Sequence, residues 1–397
     1  MTQPEKVDYV IVGGGLQGCL LAHAIAYHQP GAAVALIEQA DELCGNHTWS
    51  FHQTDVPEQA RGWFDPLVVH RWPGYAVRFP GLSRRVGIPY ATITSTGLRA
   101  ATMALATRPV PAAAPQPLVV RVGTSCEILS PTRVRCGDHV EIDCEVVIDC
   151  RGRAALEVAH GGAGYQTFIG HEYRLGRRWP AVEPTVMDVR EDQAGGFEFL
   201  YELPFGPDHV LLEYTRFHEE PACEPQRAET LIAARLAEAG VDSAELIRTE
   251  RGCLPMPYAT PGRKSGPAVA GGYAGGWYHA ATGYSMPLAI RFAELVAQSR
   301  PDRVAGDLAV AAADDALRRG FSRFLNRLLF CLVKPQDRWK IFRRFYKVLP
   351  EDRIARFYGH RFSAADAARI VIGRPPSGLA PLRFAKSFFS LSRPGFA

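Results

Sequence analysis

The chain has 397 residues, of which 47% are apolar and 22% are charged, and its formal net charge is +4. This length predicts two or three domains, and the composition is typical of a soluble globular protein. The nearly balanced charge argues against nucleic acid as a partner, and no apolar run reaches the roughly eighteen residues of a transmembrane helix. The opening segment lacks the pattern of a secretion signal, and nine scattered cysteines without metal-ligand spacing favour a reducing, cytoplasmic environment.

A glycine-rich turn follows the first predicted strand. Residues 7–12 form an apolar run, and Gly13, Gly15 and Gly18 then match the pattern G-x-G-x-x-G at the start of a predicted helix. The first glycine allows the tight turn, the second lets the backbone approach a pyrophosphate, and the third lets the helix pack closely on the strand. A second predicted strand, "AVALIE", ends at Glu38, about twenty residues further on, where an acidic side chain binds ribose hydroxyl groups. This context predicts a dinucleotide-binding unit rather than an ordinary glycine turn.

Later segments predict that the nucleotide-binding domain is discontinuous. A continuous apolar strand at residues 146–148 leads to Asp149 and Gly152, far along the chain from the first glycine turn. The stretch that follows alternates apolar and polar residues between turn residues, which is typical of sheet strands, and "PFGPDH" predicts a hairpin. A helix is predicted over residues 227–240, and a glycine-rich segment before a long helix from about Ser285 offers a second place for a cofactor.

The region from about residue 301 is predicted to be helical. Within residues 317–350 basic residues outnumber acidic ones, and aromatic and aliphatic residues recur between them at helical spacing. Two interpretations stay open: ordinary helices with a core face and a basic exposed face, or a basic amphipathic surface that lies on anionic lipid headgroups. The second interpretation predicts that the basic residues between Arg338 and Arg344 contribute to liposome binding.

Three longer stretches carry a family resemblance. They are "CGNHTWSFH" at residues 44–52, "PTVMDVREDQAGGFEFLYELPF" at 184–205 with "LLEYT" at 211–215, and "GGWYHAATGYSMPLA" at 275–289. Together with the N-terminal glycine turn they resemble the bacterial lycopene β-cyclase family over nearly the whole chain. The resemblance implies an isomerase (intramolecular lyase) that closes a ring at each end of lycopene, giving β-carotene through γ-carotene without net redox change. It also implies FAD in its reduced form as cofactor and NAD(P)H as the reductant.

The residue patterns and the resemblance together predict an α/β (α+β) fold. It consists of a discontinuous FAD-binding Rossmann-type domain, an inserted β-sheet substrate domain and a helical C-terminal part. The predicted ranges are 1–80, 141–165 and 262–300 for the FAD-binding domain, 81–140 and 166–261 for the substrate domain, and 301–397 for the helical part. The resemblance implies that the helical part contacts the membrane in which carotenes dissolve, so a cytoplasmic, peripheral membrane protein is expected.

The implied cyclisation needs an acid among apolar surroundings. A proton adds to a terminal double bond of the polyene, the neighbouring double bond attacks the resulting cation, and a different proton leaves. A carboxyl group that burial keeps protonated can supply the first proton. Glu213 follows three apolar residues in "HVLLEYT" and matches the acidic position of the family, so it ranks above Asp188 and Glu202. Tyr214 stands where the family usually has aspartate, and the pattern alone favours an exposed glutamate at a strand edge.

The glycine turn and the resemblance also assign residues to the cofactor and the substrate. Those expected at the cofactor are Gly13, Gly15, Gly18, Glu38, His47, Asp149, Gly276, His279 and Gly283. Those expected to line the substrate site are Phe199, Tyr201, Trp277 and Tyr284, because aromatic faces attract a carbocation. Core packing is the competing interpretation for each aromatic residue, and a structural hydrogen bond is the competing interpretation for each histidine.

Two other functions share parts of this pattern. An FAD-dependent monooxygenase or prenyl reductase acting on an isoprenoid would have the same glycine turn and Glu38, but it would not need an acid embedded among apolar residues. A lipid chaperone of related fold would bind prenyl groups without catalysis. The intact glycines of the turn argue against the chaperone, since such proteins tend to lose the flavin.

Overall fold

The computed structural model describes residues 5–109, 118–137, 140–152, 162–189, 193, 196–260, 266–373 and 379. The strands in this part of the chain are β1 (Glu5–Val12), β2 (Val34–Ile37), β3 (Thr48–His52), β4 (His70–Trp72), β5 (Tyr75–Phe79), β6 (Leu82–Val86), β7 (Tyr90–Thr94), β8 (Leu118–Arg121), β9 (Cys126–Ser130), β10 (Arg133–Cys136), β11 (Val140–Asp149), β12 (Ala163–Leu175), β13 (Thr185–Asp188), β14 (Phe197–Gly206), β15 (His209–His218), β16 (Ala244–Pro257) and β17 (Val269–Ala270). The α-helices are α1 (Leu16–His28), α2 (Arg61–Phe64), α3 (Ser95–Ala106), α4 (Pro225–Glu238), α5 (Met286–Gln298), α6 (Val304–Asp314), α7 (Ala316–Arg327), α8 (Trp339–Val348), α9 (Glu351–Tyr358) and α10 (Ala364–Val371).

The first sheet has the topology of a nucleotide-binding domain. Its strand order is β8-β2-β1-β11-β10-β9, with β17 beside β11. The strands β8, β2, β1, β11 and β17 run parallel, whereas β10 and β9 continue the sheet in antiparallel fashion. The apolar run at the N-terminus forms β1, which is central and buried, as parallel strands covered on both faces are. One of its faces shares a core with α1 and α5, so the predicted α/β class with a Rossmann-type arrangement is confirmed.

Strand pairing also shows how the chain leaves this sheet and returns to it. After β11 the chain builds other elements and comes back only at β17, whose residues pair in parallel with Ile148 and Asp149. Sheet membership differs from the predicted ranges at several strands. The strands β8, β9 and β10 belong to the first sheet although they lie within 81–140, and β5 belongs to the second sheet although it lies within 1–80. The strand β8 is short and its partner β2 is distant in sequence, so β8 carries no local signal for the sheet edge that it joins. The strands β10 and β9 extend the sheet from β11 as successive antiparallel neighbours.

The second sheet has the order β16-β12-β15-β14-β13-β5-β6 and is antiparallel except where β13 meets β5. The hairpin predicted at "PFGPDH" is confirmed, since β14 and β15 pair across that turn. Successive side chains of a strand point to opposite faces of its sheet. Along β15, Leu212 and Tyr214 therefore pack in the core under α4, whereas Leu211 and Phe217 pack toward the C-terminal helices. Glu213 lies on the same face as Leu211.

The C-terminal helices cover that inner face of the second sheet. The ring of Phe342 on α8 stacks on Phe197 with the ring centroids 4.7 Å apart, and Tyr346 is fully buried. The expectation of an exposed basic face from Arg338 to Arg344 is wrong at its first position. Arg338 is fully buried and donates hydrogen bonds to backbone carbonyl oxygens, including that of Phe217 at 3.2 Å. Helical periodicity cannot foresee this, because a long basic side chain can fold back to satisfy carbonyl groups.

The helical part also has an exposed apolar side. Leu317 and Phe324 lie seven residues apart on α7, which places them on one face of the helix, and both are exposed. Within the described ranges, no helix has the length and apolar character that crossing a bilayer requires. Residues 374–378 and 380–397 of the predicted helical region lie outside the described residues.

Candidate active site

The residues predicted to bind a dinucleotide meet in one cleft. Gly13, Gly15, Glu38 and Asp149 all line a cavity of about 430 Å³ at the ends of β1, β2 and β11. The carboxylate of Asp149 forms an ion pair with Arg151, 2.7 Å between Oδ2 and Nη2. This is the carboxyl edge of a parallel sheet, where open α/β folds bind their ligands.

The three glycines of the turn meet different steric requirements. Gly13 has a φ of +107°, and a Cβ at this position would lie 2.9 Å from the backbone nitrogen of Arg151. A Cβ at Gly18 would lie 2.0 Å from the carbonyl oxygen of Gly13, so this glycine lets α1 approach the strand. Gly15 has no neighbour within 4 Å of such a Cβ and leaves the backbone bare toward the cleft. The first amides of α1 have no partner within the helix, which suits a pyrophosphate.

A second cavity, of about 510 Å³, lies between the inner face of the second sheet, the small sheet β3-β7-β4 and α8. Its aromatic lining comes from segments distant in sequence and consists of Trp49, Tyr75, Tyr90, Phe168, Phe199, Tyr201, Phe217, Tyr273, Tyr284, Phe342, Tyr346 and Tyr358. The residues selected from the sequence that line it are His47, Phe199, Tyr201, Glu213, Gly283 and Tyr284. The three family segments therefore converge on one largely aromatic chamber.

Among the described residues that line this chamber, Glu213 is the one that carries a carboxyl group. Its Oε1 accepts a hydrogen bond from the hydroxyl of Thr215 at 2.8 Å. Burial raises the pKa of Glu213 to about 8, and the negative charge of Glu250 adds to the increase, whereas Thr215 and Arg248 oppose it. At neutral pH the side chain is therefore mostly a neutral carboxylic acid, which can donate a proton.

The other two acids selected from the sequence do not line this cavity. Glu202 lies opposite Leu212 in the β14–β15 ladder, on the face of the sheet that packs under α4. There it is fully buried and forms a bidentate ion pair with Arg235. Asp188, at the end of β13, is buried and lies 3.6 Å from Arg78. The structure thus brings neither carboxylate together with Glu213.

Three residues of the second glycine segment lie outside both cavities. Trp277 belongs to the core of the first sheet, with its ring 5.1 Å from that of Phe292. His279 is fully buried 4.7 Å from the ring of Phe357, and burial holds its pKa well below the ordinary value. Gly276 takes a φ of +73° in a turn. Trp277 is thus packed in a core, as its competing interpretation has it, whereas neither ring nitrogen of His279 has a hydrogen-bond partner among the described residues.

Sequence reasoning missed a buried polar group beside the cavity. The hydroxyl of Tyr284 donates to Oδ2 of Asp55 at 2.7 Å and accepts a hydrogen bond from the backbone N–H of His52 at 3.0 Å. Burial raises the pKa of Asp55 to about 7, despite the hydrogen bond from Tyr284. Asp55 stands in the polar turn "HQTDVP", which reads as exposed, so the local sequence carries no signal for its burial.

Another missed residue lies on the strand β16. Glu250 is buried and accepts hydrogen bonds from Arg248 at 2.7 Å and from Thr48 at 3.0 Å. Its neighbourhood in sequence, "IRTERG", is a run of charges that is typical of a solvated strand. Only the register of the second sheet reveals that Glu250 faces the same side as Glu213.

Comparisons with known proteins show which family the chain belongs to. The family model described as "Lycopene cyclase protein" matches residues 8–384. The lycopene beta-cyclase of Pseudescherichia vulneris is 35% identical over 380 residues, covering 93% of this chain and 94% of the relative. That of Pantoea ananas is 35% identical over 375 residues, covering 93% of this chain and 95% of the relative.

Solved structures share the fold at low sequence identity. A probable FAD-dependent monooxygenase from Pseudomonas aeruginosa superposes with a TM-score of 0.60 at 16% identity, covering 86% of this chain and all of that one. A geranylgeranyl bacteriochlorophyll reductase-like protein from Thermoplasma acidophilum gives 0.57 at 13% identity over 98% of this chain and all of that one. These structural similarities show the fold and nothing about the activity. The family match over almost the entire chain, and the relatives at 35% identity, show that the chain belongs to the lycopene cyclase family.

Proposed function

We propose that this protein is a lycopene β-cyclase, which closes a β-ionone ring at each end of lycopene to give β-carotene through γ-carotene. The observation that carries the proposal is the position of Glu213 inside a chamber walled by aromatic rings, where burial raises the pKa of its carboxyl group to about 8. An alkene is a poor base, so its protonation needs both an available acid and a surrounding that stabilises the cation.

The geometry supports a sequence of steps in which the substrate gains one proton and loses another. The carboxyl group of Glu213 gives its proton to a terminal double bond of the polyene and becomes a carboxylate, leaving a tertiary carbocation on the substrate. The electrons of the neighbouring double bond form the ring bond to that cation, and the new cation then loses a ring proton to the Glu213 carboxylate, which gives the ring double bond and restores the acid. One proton is added and one is lost, so the product is an isomer of the substrate.

The walls of the chamber contribute in two ways. The rings of Phe199, Tyr201 and Phe217 lie on the same sheet as Glu213 and line the same cavity, and each aromatic face attracts a nearby cation by up to about 2 kcal/mol when water is absent. The apolar lining also keeps water from capturing the carbocation. Tyr201 is directly opposite Glu213 in the β14–β15 ladder, which places it beside the acid.

The residues of the first cavity fit the adenosine and pyrophosphate half of FAD. Bare backbone at Gly15, the start of α1 and the carboxylate of Glu38 at the end of β2 suit a pyrophosphate and a ribose. When bound, reduced FAD supplies a fixed negative charge that favours cationic character in the substrate. We propose NAD(P)H as its reductant.

We also propose that the protein works as a cytoplasmic, peripheral membrane protein. Its substrate is a hydrocarbon that dissolves in lipid, and the side of α7 with Leu317 and Phe324 is exposed and apolar. Basic residues are frequent in the same helical part, which favours attachment to anionic headgroups.

Expression in a lycopene-accumulating host tests the proposed activity. The expected outcome is a change from red lycopene to orange β-carotene, identified by chromatography of the extracted pigments. The purified FAD-loaded protein should also convert lycopene in liposomes under anaerobic, reducing conditions without stoichiometric loss of the reductant. A product that forms only with oxygen, or with one reductant consumed per product, would support an oxidoreductase and contradict the cyclase.

A further inference from the structure

Two acidic residues of the second sheet flank a glycine. The strand β12 lies between β15 and β16, and Gly170 on β12 is paired with Glu213 on one side and with Glu250 on the other. Residues that are directly opposite in a sheet point to the same face. Glu213 and Glu250 therefore stand on one face, two strand spacings apart, with no side chain between them.

The missing side chain at Gly170 matters for the approach of the two acids. A Cβ at this position would lie 3.0 Å from Cγ of Glu250 and 3.2 Å from a methyl group of Leu211. The Glu250 side chain thus leans over the glycine, in the direction of β15. A larger residue at position 170 would push it away from Glu213.

Donors on β16 itself and on β3 hold Glu250 as a hydrogen-bond acceptor. Its Oε2 accepts from Nη1 of Arg248 at 2.7 Å and from the hydroxyl of Thr48 at 3.0 Å. The same arginine also donates from Nε to Glu172 at 2.8 Å, and Glu172 contacts His209 at 2.7 Å. Arg248 is therefore shared by two carboxylates. Burial raises the pKa of Glu250, whereas Arg248 and Thr48 oppose that increase and favour the carboxylate.

We propose that Glu250 is a positioning residue whose carboxylate, fixed by Arg248 and Thr48, repels negative charge on Glu213 and so keeps Glu213 in its acid form. This inference rests on the proposed function, because it explains how the proton donor of that reaction stays loaded near neutral pH. Gly170 is part of this arrangement, since it leaves the gap between the two glutamates free of a side chain.

The charged and titratable groups around Glu213 come from several elements. Glu250 and Arg248, both on β16, act on Glu213, and Glu172 on β12 acts on Glu250. The charged and titratable residues that line the same cavity are His47, His52, Tyr75, Tyr90, Tyr201, Arg251, Cys253, Tyr273, Tyr284, Tyr346 and Tyr358. Among the groups that act on Glu213 itself, Glu250 is the negative charge, whereas Arg248 favours the ionised form. Removing the charge of Glu250 thus changes the balance in one direction only.

The variant Glu250→Gln tests the proposal. Glutamine can still accept hydrogen bonds from Arg248 and Thr48, so the change removes the charge and little else. Cyclisation by the wild-type protein should fall as the pH rises through the pKa of Glu213, and in the variant this fall should occur at a pH lower by about one unit. Such a shift is expected for one charge roughly 10 Å away at the effective dielectric of a protein interior.

Two matched variants separate charge from structure. Glu250→Asp keeps the negative charge, so the pH of half-maximal activity should return toward the wild-type value. Glu172→Gln removes a carboxylate from the same arginine but not the one paired across Gly170, and it should move the midpoint much less. An unchanged or higher midpoint in Glu250→Gln, or an equal shift in Glu172→Gln, would overturn the proposal.

A second measurement does not depend on turnover. The infrared C=O band of a protonated carboxyl group, assigned to Glu213 by its absence in Glu213→Gln, can be titrated in the FAD-loaded protein. The band should disappear at a pH lower by about one unit in Glu250→Gln. If wild-type protein does not cyclise lycopene while this band still shifts, the proposed function fails and the electrostatic coupling stands. If cyclisation occurs and the band does not shift, the coupling is refuted.

Discussion

Replacing Glu213 by glutamine should abolish cyclisation and at the same time stabilise the folded protein. Glutamine has nearly the same shape, can still accept the hydrogen bond from Thr215, and cannot donate an acidic proton. A residue that exists to hold the fold together would show the opposite effect on stability. Loss of activity together with a gain in stability therefore distinguishes a buried catalytic acid from a structural glutamate.

The size of the stabilisation follows from the pKa of Glu213, which is raised from 4.5 to about 8. A carboxyl group with a raised pKa keeps a proton in the folded state that the unfolded chain has released, so it destabilises the fold progressively as the pH rises from 4.5 to about 8. At pH 7 the proton is retained about 2.5 pH units above the ordinary value, which corresponds to about 3 kcal/mol. Glutamine carries no such penalty.

Chemical denaturation of the two proteins between pH 4 and pH 8 measures this difference. The free energy of unfolding of Glu213→Gln should exceed that of the wild type by up to about 3 kcal/mol at pH 7, and the gain should vanish toward pH 4. The control is Glu202→Gln, which breaks the buried ion pair with Arg235 and should destabilise by about 3–5 kcal/mol. A Glu213→Gln protein that cyclises lycopene, or that is less stable than wild type at pH 7, would refute the reasoning.

Three further outcomes are expected. Gly18→Ala should purify without flavin absorbance, because its Cβ would lie 2.0 Å from a backbone oxygen of the turn, whereas Gly306→Ala, with open space around it, should stay yellow. Asp188→Asn should cyclise lycopene within about two-fold of the wild-type rate in a pigment assay, because Asp188 is not among the residues that line the cavity. Leu317→Ser should reduce flotation with anionic liposomes several-fold, whereas Val182→Ser, also on an exposed apolar residue, should not; equal binding by both variants would contradict the membrane proposal.

The parts of the fold that follow from local requirements could be predicted from the sequence. The turn at Gly13 needs a positive φ, and the position of Gly18 cannot hold a Cβ, so glycine at those positions reports backbone geometry directly. The hairpin between β14 and β15 follows from alternation on both sides of a short turn. Sheet membership of β8 could not be predicted, because its partner β2 is distant in the chain and the short strand carries no local signal for that pairing.

In the candidate site, too, some features follow from local sequence and others depend on distant strand pairing. Period-two alternation in β15 separates Glu213 from its neighbours Leu212 and Tyr214, and this much is visible in the sequence. The partner Glu250 is not visible, because the two acids meet only through the register of three strands. The burial of Asp55 could not be predicted for a related reason, because it depends on contact with Tyr284, far away in the chain.

Asp188, Glu202 and Glu213 look alike in the sequence, since each is an acid among apolar residues of a strand. In the folded protein Glu202 forms an ion pair with Arg235 and Asp188 lies 3.6 Å from Arg78, and neither residue lines the aromatic chamber. Glu213 accepts a hydrogen bond from Thr215 and faces Glu250 across Gly170. The cation that acts on Glu213, Arg248, is engaged by two other carboxylates. What separates the acid of this site from its look-alikes is therefore the distribution of counter-charges across the sheet, a property of strand register rather than of local sequence.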